Sequence, residues 1–373
     1  MKKFILLLSL AMVHFNIYAQ KKNYLIVGTY TGGKSEGIYI YHFNSDTGDF
    51  DSVSMIKTVN PSFLAVSPDE KYVYAVNEVA NNGTGGKIAA FSFNKNDGKL
   101  SFINAEPSGG DDPCYVSVDK TGKWVAVANY TSGSLSVFPV SRDGGLGSTG
   151  FSIQHKGKSV DKERQEGPHV HCTIFSKDNK YLFATDLGLD KVMIYSFNRK
   201  KGTLEEAKPA SVSTDPGTGP RHLTFHPNNK YAYLIEEMAG IVSAYQYTNG
   251  NLKLIQTISS LPAGYKGAIG SADIHVSPDG NFLYASNRDA SNTIAIFKID
   301  QQTGMLTLGG HQSTLGRTPR NFNFDPSGNF LLVGNENNDE IVIFKVDKNT
   351  GLLTDSGKRI KVGKPVCIKW ISE

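Results

Sequence analysis

Cysteine is scarce in this chain, and neither sign of charge is in excess. Three cysteines (Cys114, Cys172 and Cys367) stand among 373 residues. An odd number at wide spacing excludes a disulfide framework. Each falls in an apolar, strand-like pattern, where a small buried hydrophobe is expected. Lysine and arginine total 39 against 35 acidic residues, a net charge of +4. That is too little, and too dispersed, for a nucleic-acid surface. No apolar run approaches the roughly 20 residues that cross a bilayer. The run at residues 4–13 follows Lys2 and Lys3 and precedes a small residue, Ala19. This order predicts a secretory signal peptide over residues 1–19, a mature chain over 20–373, and a periplasmic or secreted location. No cysteine follows the cleavage point, so no lipid anchor is expected. Removing the leader takes two lysines and no acid, leaving 37 − 35 = +2.

What is present is turn residues, aromatics and a repeat. Glycine reaches 38, tyrosine 17 and phenylalanine 20, a composition suited to short strands joined by tight turns. Residues 318–353 show the unit: Pro319, an alternating apolar stretch, a D-P-S-G turn, an apolar run ending in Asn335-Glu336, a polar turn, a second apolar run and an N-T-G turn. Equivalent starts fall at Pro61, Pro113, Pro168, Pro220, Ser271, Pro319 and Pro365, spaced by 52, 55, 52, 51, 48 and 46 residues. Seven starts at a period near 50 predict an all-β, seven-bladed propeller of four-stranded blades. The N-terminal unit lacks a first strand, and the C-terminal P-V-C-I-K-W-I supplies one. One blade is therefore expected to be built from both chain ends, closing the ring.

Antiparallel neighbours bring the start of strand one and the end of strand two to the same mouth. The residues after each start are Ser62, Cys114, His169, Arg221, Ala272, Arg320 and Val366. The strand-two ends include Asn77-Glu78, Asn129-Tyr130, Glu236-Glu237 and Asn287-Arg288. One mouth thus collects arginines, carboxylates, amides and aromatics, while the other carries repetitive turns. His169 and His171 form an H-x-H pair that alternation places on one strand face. His171 aligns with Leu64, Val116, Leu223, Ile274, Phe322 and Ile368, so a histidine there is a departure from the repeat. No third His or Cys sits at matching spacing, so no transition metal is expected. Arg221, Arg288 and Arg320 suit a carboxylate or phosphate ligand, or pairing with Glu237, Glu336 or Glu78 between blades. Residues 154–167, with Arg164 and Gln165, and residues 261–270 are expected to form a rim.

The stretches R-Q-E-G-P-H-V-H (164–171), G-P-R-H-L-T-F-H-P-N-N-K-Y-A-Y (219–233), D-I-H-V-S-P-D-G-N-F-L-Y-A-S-N-R (273–288) and T-P-R-N-F-N-F-D-P-S-G-N-F-L-L-V-G-N (318–335) resemble the propeller-type lactonase family. That family includes the seven-bladed 6-phosphogluconolactonases and the fungal carboxy-muconate cyclases, and the resemblance covers nearly the whole mature chain. It implies opening or closing of a lactone ring without a redox cofactor. It also implies site residues at His169 or His171, Arg221, Glu237, and Arg288 or Arg320. Here Glu236 adds a second acid beside Glu237.

The expectation is a hydrolase for a sugar-acid or related anionic lactone, using no cofactor, as a monomer or weak dimer. Catalysis is expected from His171, Glu237 and Arg221. Substrate binding is expected from His169, Arg288, Arg320, Glu78, Asn77, Tyr130 and Arg164. Either Glu237 or His171 would activate water, and the other would protonate the leaving alkoxide. Two alternatives stand beside this reading. One is a non-catalytic propeller binding a carbohydrate, peptide or protein. The other is a calcium-dependent lactonase with Asp186, Asn129 and Asn287 as ligands.

Overall fold

A computed structural model describes residues 22–80 and 85–373. The expected signal peptide lies outside the described residues. Within them, seven four-stranded antiparallel sheets are arranged as blades of a propeller. The first, second, third and fourth strands of each blade follow in chain order, except in the closing blade. There Pro365–Ser372 forms the inner strand and pairs with Lys22–Thr29, with Val27 opposite Ile368. The expected closure by both chain ends is what the structure has. No helix among the described residues is long and apolar enough to cross a membrane.

The core lies between blades rather than within one. Counting blades in chain order with the closing blade as one, Leu283, Ala285 and Phe297 of blade six pack with Tyr233, Ile235 and Ala244 of blade five, and the same arrangement recurs around the ring. This is why the second and third strands are apolar on both faces. In several blades a tyrosine on the second strand ties the blade to the next. Tyr233 donates its hydroxyl to Gly304 O (3.0 Å), and Tyr284 to Gly351 O (2.6 Å), in the following blade. Both glycines have positive φ, 74° and 75°. A Cβ on Gly304 would meet the Tyr231 ring at 2.3 Å, and one on Gly351 the Phe282 ring at 2.5 Å. The recurrent T-G turn thus needs glycine for its backbone and for the neighbouring blade's aromatic.

One irregularity shapes the mouth. In the inner strand of blade five Pro220 pairs with Glu236 and His222 with Ile235, leaving Arg221 as a bulge. Cys114 and Arg320 are skipped in the same way. In blade four the pairs are Val170 with Asp186 and Cys172 with Thr185, so the bulged residue is His171. This corrects the alignment drawn from the prolines. The blade-four unit begins at Val170, two residues after Pro168, because the longer preceding loop ends later. His171 therefore occupies the place of Arg221 and Arg320, not that of Leu223 and Phe322. A bulge bends the strand and re-aims the extra side chain, here toward the axis.

Candidate functional site

At the end of each second strand, two neighbouring residues divide the work. The first is spent on its own blade and on the segment that enters it. Asn77 donates to Thr58 Oγ1 and Val59 O, Asn287 accepts from Ser260 and Ser271, and Glu236 accepts from Ser243. The second turns to the mouth: Glu78, Tyr130, Glu237 and Arg288 all line one cavity of about 390 Å³. Cys114, His171 and Arg320 add the bulge positions, and Arg164, Ile269 and Gly270 come from the two rim loops. Of the sequence-derived candidates, the structure brings Glu78, Tyr130, Arg164, His171, Glu237, Arg288 and Arg320 onto this cavity. Arg221 lies just beneath. Asn77 and His169 are not brought onto it: His169 stacks on Tyr130 with centroids 4.6 Å apart, and its Nε2 is 3.2 Å from Glu166.

Glu237 is the electrostatic centre. Its Oε1 accepts from Arg164 at 2.8 Å, and its Oε2 from Arg221 Nε at 2.9 Å, with Arg288 at 3.1 Å. Burial pushes its carboxyl up, but Arg288, Arg221 and Arg164 outweigh that and hold it well below the usual carboxylate range. Arg221 is only 1% exposed. Burial, then Arg288, pushes its guanidinium down to about 10, and Glu237 opposes them. Across the cavity Arg320 lies 3.9 Å from Glu78 and over the Tyr30 ring. Glu78 accepts from Tyr30 Oη at 2.8 Å and from the Ser62 hydroxyl.

His171 is buried and flanked by cations. Burial first, then Arg221, His222 and Arg320, depress its pKa well below the ordinary value. Its Nδ1 lies 3.8 Å from the Cys114 thiol. Burial, then Glu78, pushes that thiol well up, so it stays protonated. Below His171, His222 Nδ1 meets Asp273 Oδ1 at 2.8 Å, and His275 holds the second Asp273 oxygen at 2.9 Å. Burial, then Arg221, brings His222 to about 4. This network, with Asn321 also donating to Asp273, was not singled out from sequence. Its signal was an Asp-x-His in one blade beside an Arg-His in another, and repeat comparison alone does not pair them.

Two buried imidazoles held neutral make stability depend on pH. The unfolded chain takes up protons near pH 6.5, whereas folded His222 does so only near 4. Stability is therefore lost as pH falls below about 6.5. The melting temperature should drop steadily from pH 7.5 to 4.5, and a flat profile in calorimetry would contradict this.

Asp186, Asn129 and Asn287 do not form a cation cage. Asp186 is tied to His155 Nδ1 at 2.6 Å and to the His169 backbone N–H at 2.8 Å, and Asn129 donates to Ser108 O and to Ser134 Oγ. Among the described residues no group of three or more His, Cys, Asp and Glu is placed to hold a metal ion.

Comparison with known proteins agrees with this architecture. Residues 24–370 match the family model described as lactonase, 7-bladed beta-propeller. The 6-phosphogluconolactonase of Formosa agariphila is 42% identical over 84% of this chain and 89% of its own. That of Bacillus subtilis is 39% identical over 93% and 98%. Among solved structures, a propeller from Bacteroides fragilis is 43% identical with a TM-score of 0.90, covering 95% of this chain and 99% of that one. The periplasmic gluconolactonase of Pseudomonas aeruginosa is 36% identical with a TM-score of 0.90, covering 94% and 99%. This chain belongs to the seven-bladed β-propeller lactonase family and is a lactonase, a carboxylic-ester hydrolase of the 6-phosphogluconolactonase-like kind.

Proposed function

We propose that this enzyme hydrolyses the lactone of a sugar acid, or a related anionic lactone, outside the cytoplasm. The observation that carries this reading is the gathering of four arginines at one cavity: Arg164, Arg221 and Arg288 around Glu237, and Arg320 across from them. Guanidinium groups bind carboxylate, phosphate or sugar hydroxyls through paired N–H donors. Arg288 and Arg164, nearer the rim, take the anionic or polyhydroxylated end of the substrate. Arg320 and Arg221 stabilise negative charge developing on the carbonyl oxygen. His171, held neutral, donates a ring N–H to the same oxygen without the cost of a second buried cation. Glu237 keeps the arginines together, its lone pairs already engaged by three guanidinium groups. The order Lys2, Lys3, an apolar stretch and Ala19 supports export, and the periplasmic gluconolactonase neighbour is in keeping with it.

Two measurements test this. Proton release from a panel of sugar-acid lactones, with and without phosphate and corrected for spontaneous opening, identifies the substrate class. Arg288→Ala should raise KM for the preferred anionic lactone by about tenfold or more, with a smaller effect on neutral lactones. Equal losses on both would remove the anion from the proposal. Cell fractionation with N-terminal sequencing should find a mature chain starting at Gln20 outside the cytoplasm. A chain retained inside with Met1 intact would end the export reading.

A further inference from the structure

Neither group offered for proton work is well placed to take a proton from water. Glu237 has both oxygens on arginines, and His171 is flanked by cations that oppose imidazolium. A third group on the same cavity is less encumbered: Glu78 accepts from two neutral hydroxyls and faces one arginine. The Glu78 carboxylate lines the main cavity, and it also lines a small recess of about 10 Å³ directly beneath it. That volume is about the space one water centre needs. Ser62, Glu78, Arg221, His222, Arg320 and Asn321 line the recess together with three less polar neighbours, so donors and acceptors face it on several sides. The Tyr30 hydroxyl at 2.8 Å and the Ser62 hydroxyl fix the carboxylate's orientation, while Arg320 stands 3.9 Å away. Three separate blades thus aim Glu78 at the junction between recess and cavity.

We propose that the recess seats the hydrolytic water and that Glu78 is its general base. The inference rests on the lactone binding in the cavity above, as argued for the arginines. One O–H bond of the water breaks, its proton passes to a Glu78 oxygen, and the water oxygen bonds to the lactone carbonyl carbon. The carbonyl electron pair moves to oxygen, facing Arg320, Arg221 and His171. Collapse re-forms the carbonyl and breaks the ring C–O bond. The ring oxygen leaves with its electron pair and takes the proton back from Glu78. One water is consumed, one hydroxy acid is formed, and the carboxylate is regenerated. General-base assistance of this kind is worth about 10²–10⁴-fold.

The test is Glu78→Gln, which keeps the shape and one acceptor but cannot accept the proton. On the best lactone of the panel, kcat should fall by about 10²-fold or more, with KM within about threefold. The charged and titratable groups facing Glu78 are Tyr30, Arg320, Cys114, Arg221 and His222; Glu78→Gln leaves all five in place. Ser62→Ala, which removes one orienting bond, should lower kcat less, with KM unchanged, and it serves if Glu78→Gln does not fold. A Glu78→Gln enzyme with kcat within threefold of wild type, or a loss confined to KM, overturns the proposal. So does a Ser62→Ala enzyme with unchanged kcat if it is the only variant that folds. If Arg288→Ala is inactive while Glu78→Gln is not, only the base assignment fails. If both retain full activity, the cavity is not the site.

Discussion

Deleting residues 365–373 leaves a chain that does not close into a stable ring. These residues carry Val366, Cys367, Ile368 and Ile371, at most 2% exposed, and Cys367, Ile368 and Ile371 join the core clusters that the closing blade shares with its neighbours. The three branched side chains alone stabilise by about 1.5–3 kcal/mol each. Their sum is comparable with the roughly 5–15 kcal/mol that holds a whole domain folded. Loss of the strand also exposes the backbone edge of Lys22–Thr29, which it pairs from Asn23 to Thr29, an open template for association. The truncated chain should be insoluble or lack a cooperative melting transition. A soluble, monomeric product melting within a few degrees of wild type would show that the ring does not depend on this closure.

Glu237→Gln should damage both stability and activity, because one carboxylate neutralises three guanidinium groups. Arg221 would be left buried without its ionic partner, a change that costs about 3–5 kcal/mol. Since the Glu237 carboxyl sits well below the usual range in the folded protein, its contribution is present above the ordinary glutamate value of about 4.3. It is lost only as pH falls further, through the folded value. The destabilisation by Glu237→Gln should therefore be full at pH 7 and shrink toward acid pH in denaturant titrations. With Arg164, Arg221 and Arg288 no longer held by one anchor, kcat/KM should fall by about 10²-fold or more. Equal stability of variant and wild type at pH 7 would contradict this electrostatic reading.

The same residues show what can be read along a chain. The period near 50, with seven starts, the recurrent glycine turns and the one missing first strand at the N-terminus are all visible in local sequence. Propeller, blade number and closure followed from them. The mouth was legible for a similar reason: antiparallel pairing places Arg221 near Glu237 and Asn287-Arg288 beside the start of its own blade. Blade four was not legible. Its proline stands two residues early, and only the pairing of Val170 with Asp186 shows His171 to be the bulged residue.

Sequence alone therefore determined the architecture, the family and the mouth at which polar residues gather, because a repeat encodes these locally and redundantly. The tertiary structure decided which polar residues meet. Arg164 reaches Glu237 across 73 residues and Tyr30 reaches Glu78 across 48. His222 meets Asp273 across 51 residues. No local pattern records such pairs. They exist because ring closure brings seven inner strands to one axis, and because a bulge in each of several strands turns one side chain into the shared space.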